Sequence, residues 1–518
     1  MYQCPNCGGA LKYNIPTKQL RCDYCETLVN PYDVDKESDG YETGWYEATY
    51  FACPQCGGEI LTTDNAAAGF CSFCGASTIL SSRISKEARP KKIIPFSLTK
   101  EDCKHVFRKH MKKAIFAPKA FKGVDSIESF RGIYMPYWIY KTNQHGVAVM
   151  DGEKSHRSGD YIITDHYGIK AYIESDYDGF YYDASSSFYD NISVPLAPFD
   201  VTQCVEFTPS FLSGFYADTP DVPSEVYEND ALNDSIEVTG EQFFGMKQLS
   251  GYGVNKPSNR EKLKGQIIND CAEREEVMLP VWFMSYRKGD RVAYATVNGQ
   301  TGKVVSDVPI SPAKYVLGSL LLSLPIFLIL NFLFACIPMA TMAIATFMSA
   351  FTGIVFCIEV GAIKKREANE GDKGLIYARV KNENINSRTK RDKKIMGPVP
   401  ILIISLITII VGVFFAKLMY ALIPYPAFVC TIIAMIIATN MKCQSSVGEG
   451  SLFIPIASSL FTCIVKLISP VSDIPYYIAS LFSAIAIVVV IISIIRNYNA
   501  LTMRYLPQFN KQGGDDRA

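Results

Sequence analysis

Cysteine spacing constrains this chain more tightly than anything else in it. Cys4-Pro5-Asn6-Cys7-Gly8-Gly9 is followed, after fourteen residues between Cys7 and Cys22, by Cys22-Asp23-Tyr24-Cys25. Cys53-Pro54-Gln55-Cys56-Gly57-Gly58 is followed in the same way by Cys71-Ser72-Phe73-Cys74-Gly75, each cysteine 49 residues after its counterpart, which marks an internal duplication. A CxxC turn points two sulfurs inward from one knuckle, and two knuckles joined by a short hairpin complete a tetrahedral S4 site that suits zinc. The glycines after Cys7, Cys56 and Cys74 let the backbone fold over the metal with its amides directed at sulfur. Units of about 30 residues bury too little apolar surface to fold unaided, so the metal is expected to supply their folding energy.

A redox dithiol or an iron–sulfur cluster would use the same residue types. A thioredoxin-like site, however, needs a CxxC within a βαβ pattern, which is absent here. The expected ligands are therefore Cys4, Cys7, Cys22 and Cys25 for one zinc ion and Cys53, Cys56, Cys71 and Cys74 for a second. Both sites are structural, because four thiolates leave no open position for a catalytic water. The chain holds 16 cysteines, but the CxxC pairing and the lack of a basic, then apolar, leader at Met1-Tyr2-Gln3 favour thiolate–metal chemistry in a reducing cytoplasm over a secreted disulfide framework.

The zero net charge of the 518 residues hides a segregation. Residues 1–83 carry five Lys/Arg against ten Asp/Glu, whereas residues 86–122 carry twelve against three. Neutralising phosphates needs clustered cations, so an acidic ribbon segment argues against nucleic acid and for a protein partner. The exception is a helix expected from Lys100, whose apolar positions are Cys103, Val106, Phe107, Met111, Ala114 and Ile115. Its other face, with Lys104, Arg108, Lys109, Lys112 and Lys113, would suit anionic lipid headgroups or an acidic partner, or would simply be solvated.

Composition divides the chain into zinc ribbon 1 (1–31), an acidic linker (32–50), zinc ribbon 2 (51–83), a Tyr-rich α+β domain with antiparallel sheet (84–312), a membrane domain (313–498) and a tail (499–518). Within the α+β domain, Gly132–Tyr140 resembles Val277–Tyr286, each an aromatic strand candidate around Pro-x-Trp and each after a charged helical pattern, the second placed at Asn259–Glu275. A diverged repeat of helix then strand is the expectation. Asp160–Tyr189 and Tyr294–Val305 read as antiparallel strands, and the acidic Ala217–Glu241, without Lys or Arg, as surface helix or loop. His145, His156 and His166 have no ligand spacing. Gly299-Gln300-Thr301-Gly302-Lys303 lacks the GxxxxGK[ST] pattern and reads as a turn. No catalytic or cofactor-binding residue is assigned, and the chain is not expected to be an enzyme.

From Lys314, apolar runs long enough to span hydrocarbon are placed at 315–336, 340–362, 398–416, 419–440, 452–469 and 475–495, with five spans as the alternative because Pro424 and Pro426 enter the fourth. The loop 364–397 is basic, with eleven Lys/Arg against five acids over Lys364–Lys394, and should face the cytoplasm. Six spans would put both termini there, in a multi-pass plasma-membrane protein.

The CPxCGG knuckles, Tyr134-Met135-Pro136-Tyr137-Trp138, Phe211–Ala217, Leu279-Pro280-Val281-Trp282, Val297–Lys303 and the ending Leu506–Asp516 together resemble a family of uncharacterised zinc-ribbon membrane proteins of Gram-positive anaerobic bacteria. Its members are labelled TFIIB-type zinc ribbon-containing proteins or primosomal replication-restart helicases, labels that rest on the cysteine motifs. This chain departs from a helicase in having no Walker A motif. The resemblance implies the architecture and supplies no activity. The functional expectation is a membrane-anchored, zinc-binding scaffold that recruits a cytoplasmic protein. The alternatives are a transporter or channel subunit regulated by its ribbons, and a membrane-tethered nucleic-acid-binding regulator.

Overall fold

The computed structural model describes residues 2–35, 45–62, 71–76, 81–123, 127–333, 337–369, 372–374, 376–377, 424–440, 452–507 and 509. At the N-terminus β1 (Leu11–Asn14), β2 (Gln19–Cys22) and β3 (Leu28–Val29) form a small antiparallel sheet. Alternation along these strands buries Leu11, Tyr13, Leu20 and Cys22 on one face. α1 (Pro31–Asp35) follows, then β4 (Trp45–Ala52), β5 (Glu59–Thr62) and β6 (Ser81–Ala88) around the second cysteine set. The stretch 32–50, expected as an acidic linker, thus begins in a helix and ends in a strand. Its last residues are β-formers, and Tyr46, Ala48 and Tyr50 are buried, so packing overrides the acidic composition.

The middle region runs through β7 (Lys92–Ile93), α2 (Lys100–Lys112), β8 (Arg131–Ser158), β9 (Tyr161–Asp183), α3 (Asp190–Leu196), β10 (Val205–Glu206), β11 (Tyr216–Ala217), α4 (Glu228–Phe244), α5 (Pro257–Gln266), β12 (Ile267–Lys288), β13 (Arg291–Asn298) and β14 (Val304–Ser306). β4, β5 and β6 are not a separate unit. Among the described residues they belong to the same 12-stranded sheet, in the order β10-β7-β12-β8-β11-β5-β4-β6, with β9 on β8 and β13 and β14 beyond β12. The joint is β11, where Ala217 pairs with Leu61 on one side and Tyr134 on the other.

The two Pro-x-Trp strands lie side by side, antiparallel, about a local twofold between Met135 and its partner Leu279. The bonds around this centre match in pairs. Trp138 Nε1 donates to the Val222 carbonyl at 2.8 Å and Trp282 Nε1 to that of Leu98 at 3.0 Å. Ala184 N–H donates to the Pro136 carbonyl at 2.9 Å and Gly299 N–H to that of Pro280 at 2.8 Å. β11 runs parallel to β8 at Ile133 and Tyr134 just as β7 runs parallel to β12 at Val277 and Met278. Both hairpins turn on Gly-Asp, with φ +61° at Gly159 and +65° at Gly289, the left-handed backbone that glycine enters without strain.

The charged pattern placed at Asn259–Glu275 is helical only to Gln266. From Ile267 the chain pairs with β8, and this long-range ladder outweighs the local helical preference. α2 begins with a capping box, Thr99 and Asp102 each accepting the other's backbone N–H at 3.2 and 3.1 Å. It buries Cys103, Phe107 and Met111, whereas Ile115 lies past its end and is exposed.

The C-terminal region holds α6 (Pro312–Leu333), α7 (Pro338–Asn369), α8 (Pro424–Asn440), α9 (Phe453–Ile468) and α10 (Ile474–Thr502), then β15 (Arg504–Tyr505). Over Pro338–Ala362 and Ile474–Ala500 the chain is helical, long and apolar enough to cross a membrane, and Pro424–Ile436 and Phe453–Ile468 are shorter apolar helices. α8 is described from Pro424, whose missing N–H suits a first helical turn, and residues 419–423 of the span placed at 419–440 lie outside the described residues. The span placed at 398–416 and most of the basic loop lie outside the described residues. Entry and exit of this region are clasped. Asn499 exchanges two 2.7 Å hydrogen bonds with the Ile310 backbone, Arg291 donates to the Ala500 and Met503 carbonyls, and β15 pairs with β13.

Candidate metal centres

The eight CxxC thiols come together as two groups of four, Cys4 with Cys7, Cys22 and Cys25, and Cys53 with Cys56, Cys71 and Cys74, all sulfurs within 4.8 Å of one another in each group. Cys4–Cys25 and Cys7–Cys22 are 3.5 and 3.4 Å apart, and Cys53–Cys74 and Cys56–Cys71 are both 3.7 Å apart. These separations are far too long for a disulfide at about 2.05 Å. They approach the roughly 3.8 Å edge of a tetrahedron with metal–sulfur bonds of about 2.3 Å. The donor set fits zinc, and either group could hold a metal ion.

Local backbone explains the geometry. In each of the four knuckles the first cysteine accepts a bond from the residue four on and donates to the carbonyl five on. Gly8 N–H bonds to the Cys4 carbonyl at 2.8 Å and Cys4 N–H to that of Gly9 at 2.7 Å, and the same pair recurs from Cys22, Cys53 and Cys71. The turn demands a left-handed residue, supplied by Gly8 (φ +71°), Gly57 (+67°) and Gly75 (+68°) but, in the remaining knuckle, by Glu26 (+59°). Thr27 adds a hydroxyl 3.0 Å from the Cys25 sulfur, which holds that thiol down at about 6. A lone hydroxyl two residues past a CxxC gives little sequence warning of this role.

The two sites differ in surroundings. Cys53, Cys56, Cys71 and Cys74 are all buried, in a cluster with Phe73, Phe283 and Phe509. In the first site Cys7 is exposed and Cys25 half-buried. The cover over the second site comes from the far end of the chain: Phe509 N–H donates to the Cys56 carbonyl at 2.7 Å, and its ring meets Phe73 edge-on at 5.6 Å. Sequence reasoning missed this contact, since nothing local links residues 56 and 509.

Of the cationic face, Lys104 is taken up by Glu128 at 2.7 Å and Glu101 at 3.6 Å, which leaves Arg108, Lys109, Lys112 and Lys113 exposed. His156 and His166 face different carboxylates, Asp165 and Glu153, and His145 stands apart on β8. Gly299–Lys303 is the β13–β14 turn, tied by the buried Asn298 side chain, which accepts from the Gln300 and Thr301 amides at 2.9 Å.

These features define a multidomain chain with N-terminal Cys4 clusters, a sheet-rich middle and a helical C-terminal region. It belongs to the family of a Bacillus subtilis (strain 168) protein described as "Uncharacterized protein YdjG", with which it is 31% identical over 329 residues, 60% of this chain and 91% of that one. No protein-family model and no solved structure matches it.

Proposed function

We propose that the chain is a multi-pass membrane scaffold whose two TFIIB-type ribbons each hold a structural zinc ion and recruit a cytoplasmic protein. The observation that carries this reading is the filling of both sites by four thiols, which leaves metal chemistry to folding and frees the exposed first ribbon for contact. Multi-pass anchoring is supported by the apolar surface of α6, where Leu317, Leu320, Leu321, Leu322 and Leu324 are all more than half exposed and suit hydrocarbon rather than water. The clasp at Ile310 and Asn499 supports an even number of crossings, because a chain that leaves and returns on one side of a bilayer cannot cross it an odd number of times. Buried hydroxyl pairs such as Thr431–Ser459 at 3.1 Å and Ser458–Ser483 at 2.8 Å suit helix-to-helix adhesion in lipid. Crosslinking in native membranes, followed by pull-down of the solubilised protein, should return a reproducible cytoplasmic protein that is lost when Cys4 and Cys7 are replaced by serine. Recovery of the scaffold alone would reject the reading.

A further inference from the structure

Duplication at an offset of 49 allows the two ribbons to be compared position by position. On the second ribbon the tail is seated in a slot. The floor is Gly57-Gly58, the back wall is Phe73, and the anchor is the Cys56 carbonyl, which accepts the Phe509 N–H at 2.7 Å. Phe509 is buried, and a Cβ on Gly57 would collide with its carbonyl oxygen, so the glycine is what lets the tail backbone approach.

The first ribbon has the same slot. A Cβ on Gly9 would stand 2.6 Å from Tyr24 Cδ2 and 3.3 Å from Cys7 Sγ, and one on Gly58 would stand 2.7 Å from Phe73 Cδ2 and 3.3 Å from Cys56 Sγ. Wall and sulfur thus stand at matching distances from the floor glycine in both ribbons. Among the described residues nothing sits in it: none lies within 4 Å of a Cβ on Gly8, Tyr24 is 81% exposed where Phe73 is fully buried, and no backbone N–H is given to the Cys7 carbonyl.

We propose that the slot formed by Cys7, Gly8, Gly9 and Tyr24 binds an extended segment of a partner protein that presents an aromatic side chain to Tyr24 and a backbone N–H to the Cys7 carbonyl. The chain's own Leu506-Pro507 and Phe509 on the second ribbon are the pattern for such a segment. A lipid tail offers no N–H for that carbonyl, and the chain's own Phe509 is already seated elsewhere. The inference rests on the scaffold reading and specifies its contact.

The test titrates a fluorescent peptide of residues 504–511 into zinc-loaded, detergent-solubilised full-length protein and follows its anisotropy. Saturable binding is expected. It should weaken about tenfold or more in Gly8→Asn, which fills the slot with a residue that tolerates positive φ, in Tyr24→Ala, and when the peptide's phenylalanine is replaced by alanine. Two zinc ions per chain should remain in both variants. Absence of saturable binding, or binding that survives both protein substitutions because the peptide exchanges with the tail on the second ribbon, overturns the proposal. Concentration-dependent dimers lost in Gly8→Asn would assign the slot to a second copy and overturn it too. If a pull-down captures the same cytoplasmic partner from the wild type and from Gly8→Asn, the scaffold reading stands and this slot falls.

Discussion

Glu26 occupies the one knuckle position where glycine is replaced, at φ +59°. A side chain there costs about 1 to 2 kcal/mol, and its 2.6 Å pair with Arg21 is too exposed to offset that fully. Glu26→Gly should stabilise the first ribbon by about 1 kcal/mol, read as slower metal loss to a chelator. Glu276 makes a different prediction. Burial, helped by Glu87, pushes its carboxyl up to about 7 from an unfolded value near 4.5. The folded state therefore holds the proton longer, and the stability this confers is complete below about pH 4.5 and is lost as pH rises towards 7, by up to about 3 kcal/mol. Glu276→Gln should flatten that profile: in urea unfolding it should gain on the wild type at pH 8 and not at pH 4. The cysteine quartets were legible because their geometry is local, each knuckle closing within six residues. Thr27 and Glu276 were not, because their roles depend on what packs beside them.

Among elements, the ribbons should part company when metal is removed. The second has every ligand buried beneath Phe509, while the first exposes Cys7. A chromogenic chelator should therefore draw zinc in two phases, the fast one belonging to the first ribbon. Phe509→Ala should accelerate only the slow phase, since removing a buried phenylalanine costs about 3 to 5 kcal/mol and uncovers the knuckle. A single phase in the wild type would contradict the unequal cover. Strand signals were readable where residues alternate, as in β9, and where Asn298-Gly299 and Thr301-Gly302 mark the turn after β13. The start of β12 was not, because Asn269, Asp270, Glu273 and Arg274 form a polar, charged stretch that becomes strand only by pairing with residues 140–144. The merging of β4–β6 into the large sheet was hidden for the same reason, resting on a two-residue strand more than 150 positions away.

For the whole molecule the clasp between Ile310 and Asn499 sets the testable quantity. Single cysteines at positions 309 and 505, in a background whose remaining non-ligand thiols are removed, should both be shielded from a membrane-impermeant maleimide in intact cells and both react after permeabilisation. Labelling of one alone would break the even count of crossings. The apolar character of residues 313–498 was plain from composition, but the return of the chain to β13 was not, because two residues, Arg504 and Tyr505, carry no recognisable strand pattern by themselves.

The seat of Phe509 also orders events in time. Cys74 leaves the ribosome 435 residues before Phe509 (509 − 74), an interval of about 20 to 90 s at about 5 to 20 residues per second. Until residue 509 emerges the second cysteine quartet is therefore without this cover, and a chain truncated before residue 509 never gains it. Arrival of residue 509 is thus recorded more than 430 positions upstream, where an open second knuckle would distinguish a copy whose Phe509 has not docked from one whose Phe509 has.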